Sequence, residues 1–271
     1  MGSIQSVPAE LSTRLEAALR LGAEAAALAM RMRPPPGAAQ ASLKSRQDWL
    51  TEADGAVERF LSERLLAAFP DDGFQGEEDG ATRTGRLRWV VDPIDGTSNF
   101  ARGASRWCVS IGLMEGDAVR AGVLVAPALG ETYAAVEGGG ATLNGAPIHA
   151  AATDAIDRSI IEIGWSPRVD NADWQALSAR VQGAGVMLRN GGSGAMGLAE
   201  VAAGRIDGYV ERHINLWDCA AALAILAEAG ARVSDFDRAG GPLLAASPGV
   251  FTALTTLAAG PDVSLAGQPP R

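Results

Sequence analysis

The chain has 271 residues, carries 23 Lys and Arg against 32 Asp and Glu for a formal net charge of −9, and is 47% hydrophobic and 20% charged. That composition belongs to a globular protein long enough to build its core without disulfides, and it excludes a disordered or fibrous chain. The acidic balance argues against a nucleic-acid partner, which needs a basic footprint; two cysteines, no basic-then-apolar leader and no apolar run near 18 residues predict a cytoplasmic protein without a membrane partner.

Leu11, Leu15, Leu19, Leu28 and Met32 follow the helical period, and Pro34-Pro35-Pro36 ends a first helix at Met32 or Arg33. A second helix is signalled by Thr51-Glu52-Ala53-Asp54, a capping hydroxyl three residues before an acid, followed by Val57, Phe60, Leu61 and Leu65. It stops near Pro70-Asp71-Asp72-Gly73. From residue 87 the period becomes two. Segments 87–91, 107–113, 119–125 and 132–136 read as strands of an antiparallel meander behind the two helices, with turns at Glu115-Gly116-Asp117 and at Gly138-Gly139-Gly140. After residue 150 strand and helix alternate, with strands at 159–163, 186–188, 206–210 and 231–233 and helices at 173–181, 195–203 and 217–229. The pattern predicts an α+β part over 1–150 and an α/β part over 151–271, joined near 145–155, with a loose tail beyond Pro261.

The most informative string is Trp89-Val90-Val91-Asp92-Pro93-Ile94-Asp95-Gly96-Thr97-Ser98-Asn99-Phe100. A strand ending in Asp-Pro that turns at once through Asp-Gly-Thr delivers two carboxylates at one strand end. Such a pair suits a hard divalent cation, and Mg²⁺ characteristically shares one or two carboxylates with a substrate phosphate. The neighbouring amides and the Thr97 hydroxyl would form an anion nest beside it. Upstream, Gly76-Glu77-Glu78-Asp79-Gly80 is an acidic loop that solvation alone would explain. Downstream, Ile214-Asn215-Leu216-Trp217-Asp218 opens a helix with an acid in its first turn, which dipole complementation alone would explain.

Two competing patterns are weaker. Gly192-Ser193-Gly194-Ala195-Met196-Gly197, with Glu211 about twenty residues on, matches a dinucleotide-binding fingerprint, but it lies too late for a pair of βαβ halves. The same stretch lacks the last glycine of a nucleophile elbow, and His149 and His213 are the only histidines available to a serine triad. Cys219 reads as a buried small hydrophobe, His213 as a loop residue and Trp217 as core packing.

Taken together, in their order and spacing, Gly76-Glu77-Glu78, Asp92-Pro93-Ile94-Asp95-Gly96-Thr97 and Trp217-Asp218 resemble the inositol monophosphatase family of Mg²⁺-dependent, lithium-sensitive phosphatases. Lys44 with residues 48–54, the glycine-rich element at 138–148 and Glu228-Ala229-Gly230 extend the resemblance over most of the chain. It implies a layered αβαβα sandwich of the sugar-phosphatase type, in which the part over 1–150 holds most metal ligands and the part over 151–271 holds the substrate side and Asp218. It implies two or three Mg²⁺ ions: Glu77, Asp92 and the Ile94 carbonyl for a first, Asp92, Asp95 and Asp218 for a second, and Glu77 through water for a third. Asp54 and Thr97, with Glu77, would be catalytic by orienting and deprotonating the attacking water. Gly96 and Thr97 amides would hold the phosphate beside Asp95, and Gly194 and Glu211 would face the alcohol. So many carboxylates in one pocket repel one another until cations occupy it.

The resemblance further implies a homodimer that hydrolyses a small phosphorylated polyol or alcohol, inositol 1-phosphate first, with histidinol phosphate as the alternative. The resemblance also leaves open a role by protein contact, since some bacterial members of the family act in transcription complexes, and such a role could coexist with an intact metal site. A nucleotide 3′-phosphatase is disfavoured because Ser98-Asn99 stands where that branch has Lys-Glu. Three departures, Ser98, Arg102 and Ile214-Asn215-Leu216, are expected to touch no proposed ligand and to line the substrate side.

Overall fold

A computed structural model of the chain describes residues 7–35, 42–45, 48–50 and 52–259, with the backbone alone for 42–45 and 48–50. The Thr51 cap, the Lys44 side chain and the tail beyond Pro261 lie outside the described residues.

The amphipathic helices α1 (Ala9–Met32) and α2 (Glu52–Ala68) cover one face of an eight-stranded sheet. Between them a short hairpin pairs β1 (Ser42–Ser45) with β2 (Asp48–Leu50). The sheet is made of β3 (Gly73–Gly76), β4 (Ala81–Arg83), β5 (Leu87–Asp95), β6 (Cys108–Glu115), β7 (Ala118–Ala126), β8 (Glu131–Val136), β9 (Gly140–Leu143) and β10 (Ala146–Pro147). Its order is β10-β9-β8-β7-β6-β5-β3-β4. Helix α3 (Thr97–Arg102) follows β5 directly.

A second sheet of five strands contains β11 (Ile160–Ile163), β12 (Met187–Arg189), β13 (Gly208–Ile214), β14 (Arg232–Val233) and β15 (Gly241–Ala246), ordered β12-β11-β13-β15-β14. Helices α5 (Gly194–Ala202) and α6 (Leu216–Glu228) pack between the two sheets, and α4 (Asn171–Gly183) and α7 (Phe251–Ala259) cover the outer face of the smaller one. The result is the αβαβα sandwich. Both faces of the large sheet are therefore buried. Trp89, Val91, Ile111, Leu113 and Val123 meet α1 and α2, while Leu124, Tyr133 and Ala135 meet the middle helices. This is why β5 to β7 carry apolar residues on successive positions instead of a clean polar alternation.

The middle layer is seated closely. Gly112 and Gly122 face each other across β6 and β7, and a Cβ on Gly112 would lie 2.8 Å from the Ala220 Cβ. A Cβ on Gly122 would overlap the Ala221 carbonyl oxygen. The pair of glycines thus forms the groove in which the alanine-rich start of α6 rests, and it sets the height of Asp218.

Several elements differ from the sequence reading. The sheet is not a pure meander, because β3 runs parallel to β5; Gly-Phe-Gln-Gly in β3 and the wholly exposed β4 show no alternation that periodicity can detect. Strand β5 continues through Pro93 to Asp95, with an irregular register between Asp92 and Asp95 that leaves the proline without a ladder partner. Strand β13 reaches Ile214, so His213 is on a strand, not a loop, and Glu211 sits within the strand, not at its end. Trp217 is half-buried against Val90, Met114, Leu216 and Ala220. Among the described residues no helix is long and apolar enough to cross a membrane.

Candidate active site

The end of β5 organises the site. Asp92 is buried and its Oδ1 accepts the Ile94 amide at 2.9 Å, which turns the carboxylate back along its own strand. Gly96 follows at φ +85, and a Cβ there would lie 3.0–3.2 Å from the Ser193 Cβ and the carbonyls of Arg106 and Gly192. Backbone conformation and space both require glycine. Thr97 then opens α3, its Oγ1 donating to the Ile94 carbonyl at 2.9 Å and lying 3.4 Å from Oδ1 of Asp54 in the first turn of α2.

The second carboxylate, Asp95, is held from the middle layer. The Ser193 hydroxyl donates to its Oδ2, the Gly194 amide donates to its Oδ1 at 3.2 Å and the Ala195 amide to its Oδ2 at 3.2 Å. The start of α5 therefore receives a carboxylate of this chain where the fingerprint reading would place a pyrophosphate. Ser193, which also caps α5 by accepting the Met196 amide at 3.3 Å, is not an elbow nucleophile. Asp218, in the first turn of α6, accepts the backbone amide and the side-chain Nδ2 of Asn215 at 3.0 Å each. Asn215 thus does touch a proposed ligand, against expectation: a helix cap at this position reaches the acid three residues on.

Carboxylate oxygens of Asp92, Asp95 and Asp218 lie within 4.8 Å of one another. Glu77 lines the same cavity from the loop after β3. That loop is fastened by a residue the sequence reading missed, Glu58 of α2, whose two oxygens accept the Glu78 and Asp79 amides at 2.9 Å. A Cβ on Gly76 would overlap the Glu58 carboxylate, so the glycine is what lets the loop close on it. The available signal was helical spacing: Asp54 and Glu58 share the buried stripe of α2 with Val57, Leu61 and Leu65.

Burial pushes Asp92 well above the usual carboxylate range, and the charges of Glu77, Asp95 and Asp218 push it further. Asp95 rises to about 7, from burial and the charge of Asp218, opposed by the Ser193 and Gly194 hydrogen bonds and by Arg106. Burial also raises Asp218, against its two bonds from Asn215. Each acid in the cluster holds a proton more tightly than it would in water, so a competing positive charge is favoured there. The donor set is all oxygen. Cys108, 3.9 Å from Asp95, is buried with its thiol raised. Such a set fits hard divalent cations.

The cavity has a volume of about 360 Å³. Glu77, Asp92, Ile94, Asp95, Gly96, Thr97, Gly194, Glu211 and Asp218 all line it; Asp54 stands behind Thr97 and does not. Of the departures from the family pattern, Ser98, Ile214 and Asn215 line it, whereas Arg102 does not and Leu216 is buried in the core beneath. Glu211 is buried, accepts the Tyr209 hydroxyl, and is pushed up to about 8 by burial. Tyr209, another wall residue, was missed by the sequence reading because a tyrosine on an apolar strand looks like core.

A model of the inositol monophosphatase family matches residues 10–261. Over 212 residues the chain is 37% identical to an inositol-1-monophosphatase of Rhizobium meliloti, covering 77% of this chain and 80% of that one. It is 38% identical over 202 residues to a Nus factor SuhB of Xylella fastidiosa, covering 73% of each chain. Among solved structures, the extragenic suppressor protein SuhB of Bartonella henselae superposes with a TM-score of 0.84 at 28% identity, covering 92% of this chain and 99% of that one. The inositol monophosphatase of Anabaena does so at 0.80 and 28%, covering 95% and 98%.

Proposed function

This chain belongs to the inositol monophosphatase family, and from that premise we propose that it is a Mg²⁺-dependent phosphomonoesterase acting on a small polyol phosphate, inositol 1-phosphate first. The observation that carries the reading is the meeting of Asp92, Asp95 and Asp218 within 4.8 Å, in a cavity that also receives Glu77 and Thr97. Glu77, Asp92 and the Ile94 carbonyl would hold one ion; Asp92, Asp95 and Asp218 would hold another. Bound there, divalent ions supply Lewis-acid stabilisation of the charge that develops on the phosphoryl group.

The chain's own groups do the rest. Once the Ile94 carbonyl is engaged elsewhere, the Thr97 hydroxyl donates to Asp54 and accepts from a water molecule. Asp54 Oδ1 then receives the proton that the water gives up through Thr97. Asp54 is suited to this because it is buried behind Thr97, away from the cavity. The Gly96 and Thr97 amides, at the start of α3, bind the phosphate. Glu211, fixed by Tyr209, takes hydrogen bonds from hydroxyls of the alcohol.

The test is phosphate release from inositol 1-phosphate, histidinol phosphate, fructose 1,6-bisphosphate and adenosine 3′,5′-bisphosphate, each in Mg²⁺ and in EDTA. The expected result is the highest kcat/KM with inositol 1-phosphate and none in EDTA. A higher value with histidinol phosphate would reassign the substrate, and full activity in EDTA would overturn the cation mechanism.

A further inference from the structure

Asp95 keeps its orientation because Ser193 and the first amides of α5 stay on it, and those groups hang from the turn at 190–193. Two of its four residues are glycines, so its own stiffness is low. Its fixings come from elsewhere. The Gly191 amide donates to Glu162 at 3.1 Å, and the Gly191 carbonyl accepts Asn99 Nδ2 at 2.8 Å.

Arg106 stands at the centre of these bonds. Its guanidinium meets Glu162 fork to fork at 2.8 and 2.7 Å, and its carbonyl accepts Asn99 Nδ2 at 2.7 Å. A Cβ on Gly191 would coincide with Arg106 Nη1, so the turn is wrapped directly against the guanidinium. Glu162 is 1% exposed, and the Arg106 Nε is buried with no hydrogen-bond partner among the described residues. A buried ion pair returns little net stability after desolvation, and an unpartnered donor lowers the return further. What the pair supplies is position.

We propose that Arg106 is a positioning residue for the cation site formed by Asp92, Asp95 and Asp218. It clamps the 190–193 turn through Glu162 and Gly191, and so keeps the start of α5 on the Asp95 carboxylate. The proposal rests on the cation reading above. Without the clamp the turn loses its wall, Ser193 and the Gly194 amide draw away, and Asp95 is free to rotate out of the ligand set. Asp92 bonds the Ile94 amide within β5 and the Ile94 carbonyl bonds Thr97, both away from this turn, so the position built on them with Glu77 is expected to stay intact.

The test is Mn²⁺ binding to the full-length, cation-free protein by calorimetry, with thermal unfolding in EDTA alongside. The variants are Arg106→Gln, Arg106→Lys and Gly191→Ala, each also made in an Asp95→Asn background. Arg106→Gln is expected to weaken one Mn²⁺ by about 10–100-fold, the usual effect of removing a group that orients a ligand, while the other ion keeps its affinity. Arg106→Lys is expected to recover part of the loss, since it retains the charge but not the fork. Gly191→Ala displaces the guanidinium with every charge kept, and it carries the same expectation should Arg106→Gln fail to fold. In Asp95→Asn the further substitution should change nothing, because the group it positions is gone. Equal weakening of both ions, or losses that stay additive with Asp95→Asn, would reduce Arg106 to a structural role and overturn the proposal. A wild type that binds no Mn²⁺ would overturn the cation reading beneath it.

Discussion

Asp92 is the one side chain that the proposed arrangement uses in both cation positions, and its surroundings show why an amide cannot stand in for it. It is buried, and the charges of four other acids, Glu77, Asp95, Asp218 and Asp54, all disfavour its ionisation, a repulsion that bound ions would relieve. Asp92→Asn keeps the shape and the bond from the Ile94 amide but deletes the charge. Phosphate release at saturating Mg²⁺ should fall by more than the roughly 10²–10³-fold cost of deleting a single oxyanion donor; retention of a tenth of the activity would remove Asp92 from its bridging place. Thr97 and Asp54, 3.4 Å apart, are proposed to act as a pair. Thr97→Ala and Asp54→Asn should each lower kcat while leaving the Mg²⁺ dependence in place, and the double variant should be little worse than either single one. Additive losses in log kcat would show that no proton path joins them. The acids of this site could be read from the sequence because each sits in a contiguous string with its turn residues. Glu58 could be placed by helical spacing on the buried stripe of α2, but its partners 20 and 21 residues on could not be assigned; Arg106 could not be found at all, since its partner Glu162 lies 56 residues away and nothing local marks it.

Helix α2 shows the same logic one level up. Its buried stripe delivers Asp54 to Thr97 and, one turn later, Glu58 to the acidic loop, so a single helix supports both the proposed water side and the Glu77 side. Removing the Glu58 acceptor leaves two amides unsatisfied in a half-buried place. Glu58→Ala should therefore raise hydrogen exchange at the Glu78 and Asp79 amides and weaken Mg²⁺ by about 10–100-fold, as for other supporting groups, with helix content by circular dichroism unchanged. Amides as well protected as in the wild type would show that the loop stands without it. At this scale the long or strongly patterned elements could be read from the sequence: α1, α2, β5 to β8 and α6. Of the short ones, β12 and β14 could be read as well, at 186–188 and 231–233, but β3, β4, β15 and α7 could not. Strands β3 and β4 lie under the acidic loop with no alternation, and α7 and β15 are brief segments whose apolar residues fit either period. Their identity is decided by the sheets they complete.

Across the whole molecule, the five layers bring acids from three sources to one buried place: Asp92 and Asp95 from the large sheet, Asp218 from the middle helices and Glu211 from the small sheet. Assembling them has an electrostatic consequence that depends on pH. In the cation-free protein Asp95 titrates near 7 and Glu211 near 8, both above the ordinary values of about 4 that they have when unfolded. A folded-state pKa raised in this way means that the folded chain binds more protons than the unfolded one. The associated stability is complete below about pH 4 and is lost as pH rises towards 8, by several kcal/mol in order of magnitude. Divalent cations bound at the proposed positions would reverse the loss by taking the place of the protons, and at 100 times Kd they would add about 2.7 kcal/mol. At pH 5 the ions must first displace those protons, whereas at pH 8.5 they need not. Saturating Mg²⁺ should therefore raise the unfolding temperature by about 5–10 °C at pH 8.5, from the usual 2–4 °C per kcal/mol for chains of this size, and by much less at pH 5. Taking the difference between Mg²⁺ and EDTA at each pH cancels every other titrating group on the surface. Equal increments at the two pH values would mean that protons and cations do not compete for the Asp92, Asp95 and Asp218 carboxylates, and that the cluster is held together by something other than their shared need for positive charge.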